Sequence, residues 1–263
     1  MNIQVLAHPG KMEAKIAAAA ISDWLEARGH NTLVRNLANL ELVLVIGGDG
    51  FTVRCAGQYS LIGVPIIAIN AGDIGFLTRG NINNWEETLE LIVSGKYHIE
   101  KRMGLDYEYK GETSEGPIVN DVYLRHTHSM ASLKVSFDGI TVFSELVVDG
   151  LIVGAPTGST GYNASAGGPI IQPGLNCLTI TPICQYHFNA RPLVVTPDTK
   201  IEIEVLKTKK PGELVLMADG KAIGAMDGKE KIIVKKHKQS LLFAVIDRQD
   251  FYRALQQKKG LMS

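Results

Sequence analysis

Asp49 is a single carboxylate enclosed by three glycines, Gly47, Gly48 and Gly50, directly after an uninterrupted apolar run from Leu42 to Ile46. Glycines at such a point leave the backbone free to take φ > 0 and let a ligand lie against it. Successive backbone N–H groups there can form a concavity that binds anions. A carboxylate among such amides suggests a phosphate-handling site. Asp-Gly is also a common turn dipeptide, and the chain repeats it at 138–139, 149–150, 219–220 and 227–228. Apolar alternation flanks 138–139 and 227–228, which are expected to be hairpin turns. The pair at 49–50 differs by its two further glycines and the buried strand before it, although the motif alone names no enzyme.

Two further stretches share this character. NAGDIGFLTRG, residues 70–80, follows another short apolar run, Pro65 to Ile69. APTGSTGYNASAGGPII, residues 155–171, places Thr157, Ser159, Thr160 and Ser165 among glycines, with Tyr162 as one aromatic face. Packing inside a β domain does not need such a density of small and hydroxylic residues. It suits a backbone pressed against a ligand, with short hydrogen-bonding arms and a ring for stacking. Other residues carry less. His126 and His128 share a strand face but lack a third metal ligand, so core or surface roles are expected. Cys177 and Cys184 lie in apolar surroundings and are expected to be inert. Lys11 reads better as a solvated first-turn residue than as a phosphate contact. No Ser-His-Asp or Cys-His arrangement shows in local spacing, and Lys258 and Lys259 read as a solvated helix end.

The elements that must position these loops are legible in outline. Residues 2–7, 42–46 and 65–69 are continuous apolar runs, expected to be strands buried on both faces of a parallel sheet. A helix from Met12 follows the first, with Met12, Ile16, Ala20 and Trp24 on one stripe, Ile21, Leu25 and Arg28 beside it, and Gly29 as its stop. The order strand–helix–strand implies a right-handed crossover, with both glycine loops at the carboxyl edge where open α/β sheets bind ligands. Residues 52–61 are expected to be helical, and so are 84–93, with Asn84 and Glu87 spaced as a capping box and Gly95 as the stop. Beyond residue 99 the period drops to two, at Met103 to Tyr109, Leu133 to Phe137, Ile201 to Val205 and 231–237, which indicates an antiparallel β-sandwich. Residues 241–246 are again continuously apolar, and a helix from Gln249 to Lys258 follows. The fold class expected is therefore an α/β N-terminal domain with a Rossmann-like parallel sheet plus an all-β C-terminal sandwich domain. The α/β domain spans 1–98 and is completed by 245–263; the sandwich spans 99–244.

Bulk properties narrow the classes. The chain has 263 residues, 45% hydrophobic and 21% charged, ordinary for a globular protein. Its 27 basic residues balance its 27 acidic ones, which argues against a nucleic-acid surface. Three cysteines without CxxC spacing fit a reducing cytoplasm. No signal peptide and no membrane span is evident, so a cytoplasmic, soluble protein is expected.

Together the loops resemble the NAD kinases, which phosphorylate NAD at the 2′-hydroxyl with ATP or polyphosphate. The resemblance rests on GGDGF at 47–51, NAGDIGFLT at 70–78, VND at 119–121, VDGLIVGAPTGSTGYNASAGGPI at 148–170, TPIC and RPLVV within 181–195, and ADG at 218–220. These follow the family's order from Pro9-Gly10-Lys11 to Asp219. GGDG alone also occurs in lipid kinases and phosphofructokinases; the TGST-x-Y-x-x-SAGGPI stretch is far more specific. The resemblance implies an NAD site in a cleft between the two domains, Mg²⁺ bridging the donor phosphates, and a homodimer or homotetramer. It implies that Asp49 contacts the adenosine 2′-hydroxyl as base or orienting group, and that Gly47, Gly48 and Gly50 admit phosphates. Phe76 would line the adenine side, and Asn120 and Asp121 would hold ribose hydroxyls and the adenine edge. Asp149, Ser159, Thr160, Tyr162 and Ser165 would contact the base and nicotinamide regions, with Tyr162 stacking. The chain departs from the family at Phe51, where Thr is usual, at Asp121, where Glu is usual, and at Val147, where some members carry a basic residue. The segment between the first helix and Leu42 is also short. Those departures define the competing class, a slow dinucleotide-binding regulatory protein on the same fold, while a GGDG lipid kinase is disfavoured by the loop at 157–170.

Overall fold

Continuous and alternating apolar runs fold into separate bodies in the computed structural model, which describes residues 1–72, 75–186, 190–210 and 212–258. Asp73 and Ile74 of the second glycine loop, residues 187–189 ahead of RPLVV, and Lys259 of the basic C-terminal run lie outside the described residues. One unit comprises Met1–Lys101 with Leu241–Ser263, the other Arg102–Ser240. The chain runs through β1 (Ile3–Ala7), α1 (Met12–Glu26), β2 (Leu42–Gly47), α2 (Asp49–Ser60), β3 (Ile66–Asn70), β4 (Arg79–Asn81), α3 (Trp85–Val93) and β5 (His98–Arg102). There follow β6 (Leu105–Tyr109), β7 (Glu112–Thr113), β8 (Asp121–His126), β9 (Ala131–Phe137), β10 (Ile140–Val148), β11 (Gly150–Gly154), α4 (Tyr162–Ser165), β12 (Leu178–Ile183) and β13 (Leu193–Val195). Last come β14 (Ile201–Lys207), β15 (Leu214–Ala218), β16 (Lys221–Met226), β17 (Lys231–Lys236), β18 (Leu241–Val245) and α5 (Asp250–Gln257).

In the first unit the sheet order is β1-β2-β3-β18-β5, with β4 beside β3. Strands β1, β2, β3 and β18 pair in parallel, and every residue of β2 and β3 is buried, as continuous apolar runs require. The expected domain boundary at 244/245 cuts through β18, which pairs with β3 through Phe243 and Ile66 and belongs whole to this unit. Helix α1 turns inward the side of Ile21 and Leu25, expected beside the main stripe, and leaves the Met12 and Ile16 end of that stripe outside. Ala14, Ala17, Ile21 and Leu25 pack with Ile3, Leu42 and Leu44, while Met12 is 68% and Ile16 65% exposed. Four consecutive alanines, 17–20, blur the contrast between faces, and small side chains let the helix lie close on the sheet. The expected capping box at α3 does not form, because Asn84 Oδ1 accepts from Asn81 N at 2.8 Å instead of capping the helix.

The second unit is a sandwich of two antiparallel sheets, β10-β9-β14-β17-β6-β7 and β13-β12-β11-β8-β15-β16. Leu133, Val135, Ile201 and Ile203 from one sheet share a core with Leu124, Leu151, Val153 and Ile180 from the other. Asp138 (φ 49°) and Gly139 (φ 85°) form the two-residue hairpin between β9 and β10, the left-handed pair a type I′ turn needs. Asp227-Gly228, also expected as a hairpin, is not one: β16 and β17 lie in different sheets, and the left-handed residue is Lys229 (φ 74°). The corresponding hairpin is Asp219-Gly220, φ 45° and 76°, joining β15 to β16.

Candidate functional site

On the first unit the candidate residues gather at the carboxyl ends of β1, β2 and β3. Strand β2 ends at Gly47, and Asp49 opens α2, so its carboxylate stands at the helix N-terminus. Asp49 Oδ2 accepts from Phe76 N at 2.8 Å and Oδ1 from Leu77 N at 3.1 Å. The two glycine loops are thus tied together by a carboxylate bound to two successive amides, charge-assisted bonds that fix its orientation. Gly75 packs beneath that carboxylate; a Cβ there would overlap Asp49 Oδ1 and come within 2.7 Å of its Cγ. The three glycines of the first loop do not use φ > 0, contrary to the rationale drawn from sequence. Gly47 is required because a Cβ would stand 2.8 Å from the Phe51 ring, whereas Gly48 and Gly50 have nothing within 4 Å. The fold itself would accept a side chain at those two positions.

Around this loop, Phe51 packs edge-on to His8 with ring centroids 5.3 Å apart. Lys11 Nζ donates to Ala71 O at 2.7 Å, which brings an ammonium to the second loop rather than leaving it solvated. Phe76 is only 7% exposed. Its ring lies 6.0 Å from that of Phe251 in α5, with Lys258 Nζ 4.6 Å above it. Its side chain therefore anchors α5, while its backbone N–H serves Asp49. Among the described residues no trio of His, Cys, Asp or Glu gathers at metal-binding distances.

On the second unit the outer face of the β11-containing sheet is the floor of the candidate site. Alternation along β8 puts Val122 and Leu124 into the sandwich core and places Asp121, Tyr123 and Arg125 on the opposite face. Gly154 and Gly150 stand across from Asp121 and Arg125 in β11. The stretch 155–171 folds onto this face. Gly158 lies against the Asn120 backbone, where a Cβ would overlap the carbonyl oxygen. Ala155 N donates to Asn120 O at 2.8 Å. Asn163 is fully buried: its Nδ2 donates to Ser159 O and Pro169 O, and its Oδ1 accepts from Thr181 Oγ1 at 2.7 Å.

The expected contacts separate into inward and outward groups. Ser159 is fully buried; its hydroxyl donates to Ile171 O and accepts from Ile171 N, both at 3.0 Å. It therefore closes the loop on itself. Tyr162 stands edge-on to Tyr123 with centroids 5.1 Å apart, and burial raises the pKa of both phenols. Arg125, Cys184, Asp121 and Asp149 all act on the Tyr162 phenol, so these groups share one neighbourhood. Thr160 is half-buried and Ser165 exposed at its rim.

Asp219, in the β15–β16 turn, takes a part that sequence reasoning did not assign to it. Its Oδ1 accepts from Asn120 N at 2.7 Å and its Oδ2 from Val119 N at 2.8 Å, while its own N–H donates to Asp121 O at 3.0 Å. The Val119-Asn120-Asp121 segment is therefore held by a carboxylate about a hundred residues away. Its sequence signal was the Asp-Gly dipeptide. Burial raises the Asp219 pKa against these N–H donors. Burial, with the Asp219 charge behind it, pushes Asp121 up to about 7. A carboxyl whose folded pKa exceeds its unfolded value of about 3.9 binds more protons in the folded state between those pH values. Its contribution to stability is complete below about pH 4 and lost as pH rises through about 7. Asp121→Asn is therefore expected to gain stability relative to the parent as pH rises from 4 to 7, the difference levelling off above 8. Urea unfolding of both proteins across that range measures it; a constant difference would mean that Asp121 titrates normally.

Comparison with known proteins places these features in a lineage. The chain matches the ATP-NAD kinase N-terminal domain over residues 32–97 and the ATP-NAD kinase C-terminal domain over residues 119–245. It is 32% identical over 274 residues to an NAD kinase of Nitratidesulfovibrio vulgaris, covering 98% of this chain and 95% of the other. An NAD kinase of Methanothermobacter thermautotrophicus is 33% identical over 235 residues, 89% of this chain and 81% of the other. The structure of an NAD kinase from Archaeoglobus fulgidus in complex with ATP is similar at a TM-score of 0.79 and 25% identity, over 97% of each chain. Yeast NADH kinase complexed with NADH shares the fold at a TM-score of 0.83 and 20% identity, over 99% of this chain and 88% of that one.

Proposed function

Because the chain belongs to the NAD kinase family, we propose that it transfers a phosphoryl group from ATP to the 2′-hydroxyl of the adenosine ribose of NAD, giving NADP. The observation that carries the mechanism is Asp49, a carboxylate oriented by two backbone N–H groups beside two open glycines. Phosphoryl transfer needs alignment and charge neutralisation more than covalent help from the protein. The 2′-hydroxyl oxygen attacks the terminal phosphorus, its proton passes to Asp49, and the donor's bridging bond breaks with its electron pair left on the departing phosphate. A positioned base of this kind contributes about 10²–10⁴-fold. Phosphate charge meets the N-terminus of α2 and the Lys11 ammonium.

The donor set fits a Mg²⁺ ion that arrives on the donor's phosphates, since such an ion keeps several waters and needs one or two protein carboxylates at most. When bound it would neutralise the developing phosphate charge; Asp49 is the carboxylate within its loop. On the second unit, Asp121, Asn120 and Tyr162 supply the polar edge and the ring that hold a dinucleotide. Polyphosphate as an alternative donor, a cytoplasmic location and a homodimeric or homotetrameric assembly belong to the same reading. The resemblance to the family supports them. Incubation with NAD, Mg²⁺ and ATP, with polyphosphate in parallel, is expected to yield NADP with ATP and to stop when EDTA removes the metal. Tight NAD binding with no NADP from either donor would leave a dinucleotide-binding regulator instead.

A further inference from the structure

We infer that Thr78 is a positioning residue for the reaction, its hydroxyl acting as a third donor that holds the Asp49 carboxylate in its working orientation. The inference rests on the base role proposed for Asp49. Thr78 is 8% exposed, and its Oγ1 is buried with no hydrogen-bond partner among the described residues. Thr52, Thr179 and Thr181, also buried, bond to Gly48 O, Gly154 O and Asn163 Oδ1, whereas Thr157 Oγ1 on the second unit is unpartnered like Thr78 Oγ1 but has no such carboxylate described beside it. A buried hydroxyl left unpaired costs stability and calls for an explanation. The acceptor beside it is Asp49. Thr78 Oγ1 and Asp49 Oδ1 both border the small space that Gly75 leaves by having no side chain, with Thr78 Oγ1 2.8 Å from where a Cβ would stand.

Asp49 has room for a further donor. Its oxygens accept only the N–H groups of Phe76 and Leu77 among the described hydrogen bonds, and a carboxylate has about four lone-pair sites. The bond to Leu77 is the longer one, 3.1 Å, and lies on the same oxygen, Oδ1. Hydrogen bonds of catalytic groups are often loose in a free enzyme and tighten once substrate engages. Thr78 Oγ1 and Asp49 Oδ1 both border the Gly75 space, so the Thr78 hydroxyl is placed to become the third donor, on Oδ1, when the site tightens. Oδ2 keeps a lone pair for the substrate hydroxyl, and the carboxylate is held against rotation while it accepts the proton.

Thr78→Val keeps the shape and deletes the hydroxyl. The valine protein is expected to melt at or above the parental temperature, because it loses an unpaired buried polar group. Its KM for NAD is expected to stay within about twofold and its kcat to fall about tenfold or more, the scale of one hydrogen bond to a charged group. Thr78→Ser is expected to restore kcat to within about threefold. In an Asp49→Asn background the valine substitution should cost nothing further. A valine variant with parental kcat, or a serine variant as slow as valine, overturns the proposal, as does an additive loss in the double variant. If valine does not fold, Thr78→Ala compared with Thr78→Ser reads the same difference. An Asp49→Asn enzyme with parental activity would instead refute the base role, and this proposal with it. A silent valine beside an inactive Asp49→Asn refutes the proposal alone.

Discussion

Asp49→Asn is expected to lower kcat for NADP formation by about 10²–10⁴-fold while leaving NAD binding close to the parental value. The isosteric amide keeps the volume and removes the charge and the ability to accept a proton. It also meets Phe76 N–H and Leu77 N–H, which donate to the two carboxylate oxygens. An asparagine answers one of them with its oxygen and turns an N–H₂ donor toward the other. One buried donor is then unpaired, at a cost of about 1–3 kcal/mol, so a lower melting temperature should accompany the loss of rate. The dinucleotide contacts expected from Asn120, Asp121 and Tyr162 are untouched. Calorimetric titration with NAD and a coupled NADP assay separate the two effects. Parental turnover in the asparagine variant would remove Asp49 from the mechanism, and a parallel loss of NAD affinity would make it a binding group.

Local pattern carried most of the architecture. Strands β2 and β3 were legible because burial on both faces leaves a run with no polar residue, and the sandwich was legible through its period of two. What failed had a physical source in each case. The inward face of helix α1 was legible at Ile21 and Leu25 but not in its first turns, because alanines 17–20 suit either environment and the long side chains of Met12 and Ile16 point to the other side. Asp227-Gly228 and Asp219-Gly220 are the same dipeptide between apolar segments. Which is a hairpin depends on whether the flanking strands enter one sheet, a long-range fact. The site divides in the same way. Residue types announced Asp49, yet the amides that hold it come from residues 27 and 28 positions away. Ser159 and Ser165 sit six positions apart in one loop, one enclosed and the other exposed. A hydroxyl cannot show from sequence which way it points. Thr78 and Asp219 carried almost no local signal, because their importance lies in what a distant backbone presents to them.

Gly75→Ala should be nearly as damaging as the loss of Asp49 itself, although it removes no functional group. The glycine is not in the left-handed region, so alanine meets no backbone penalty and the consequence is purely steric. Its Cβ would overlap Asp49 Oδ1, lie 2.7 Å from Asp49 Cγ and stand 2.8 Å from Thr78 Oγ1. The carboxylate must swing away, or the backbone of residues 75–78 must retreat and take the Phe76 and Leu77 N–H groups with it. Either response separates a base from its orienting donors by a distance of the order of 1 Å, a displacement that can cost about 10²-fold in rate. Overpacking of this size costs stability by about 1–3 kcal/mol, which a folded two-unit protein can survive. The expected signature is a folded enzyme with parental NAD affinity and kcat reduced by about 10²-fold or more. Because Asp49 keeps its charge, this outcome would show that orientation, and not the mere presence of a carboxylate, carries the reaction. Parental kcat in the alanine enzyme would mean that Asp49 works from a position other than the one its two backbone donors define.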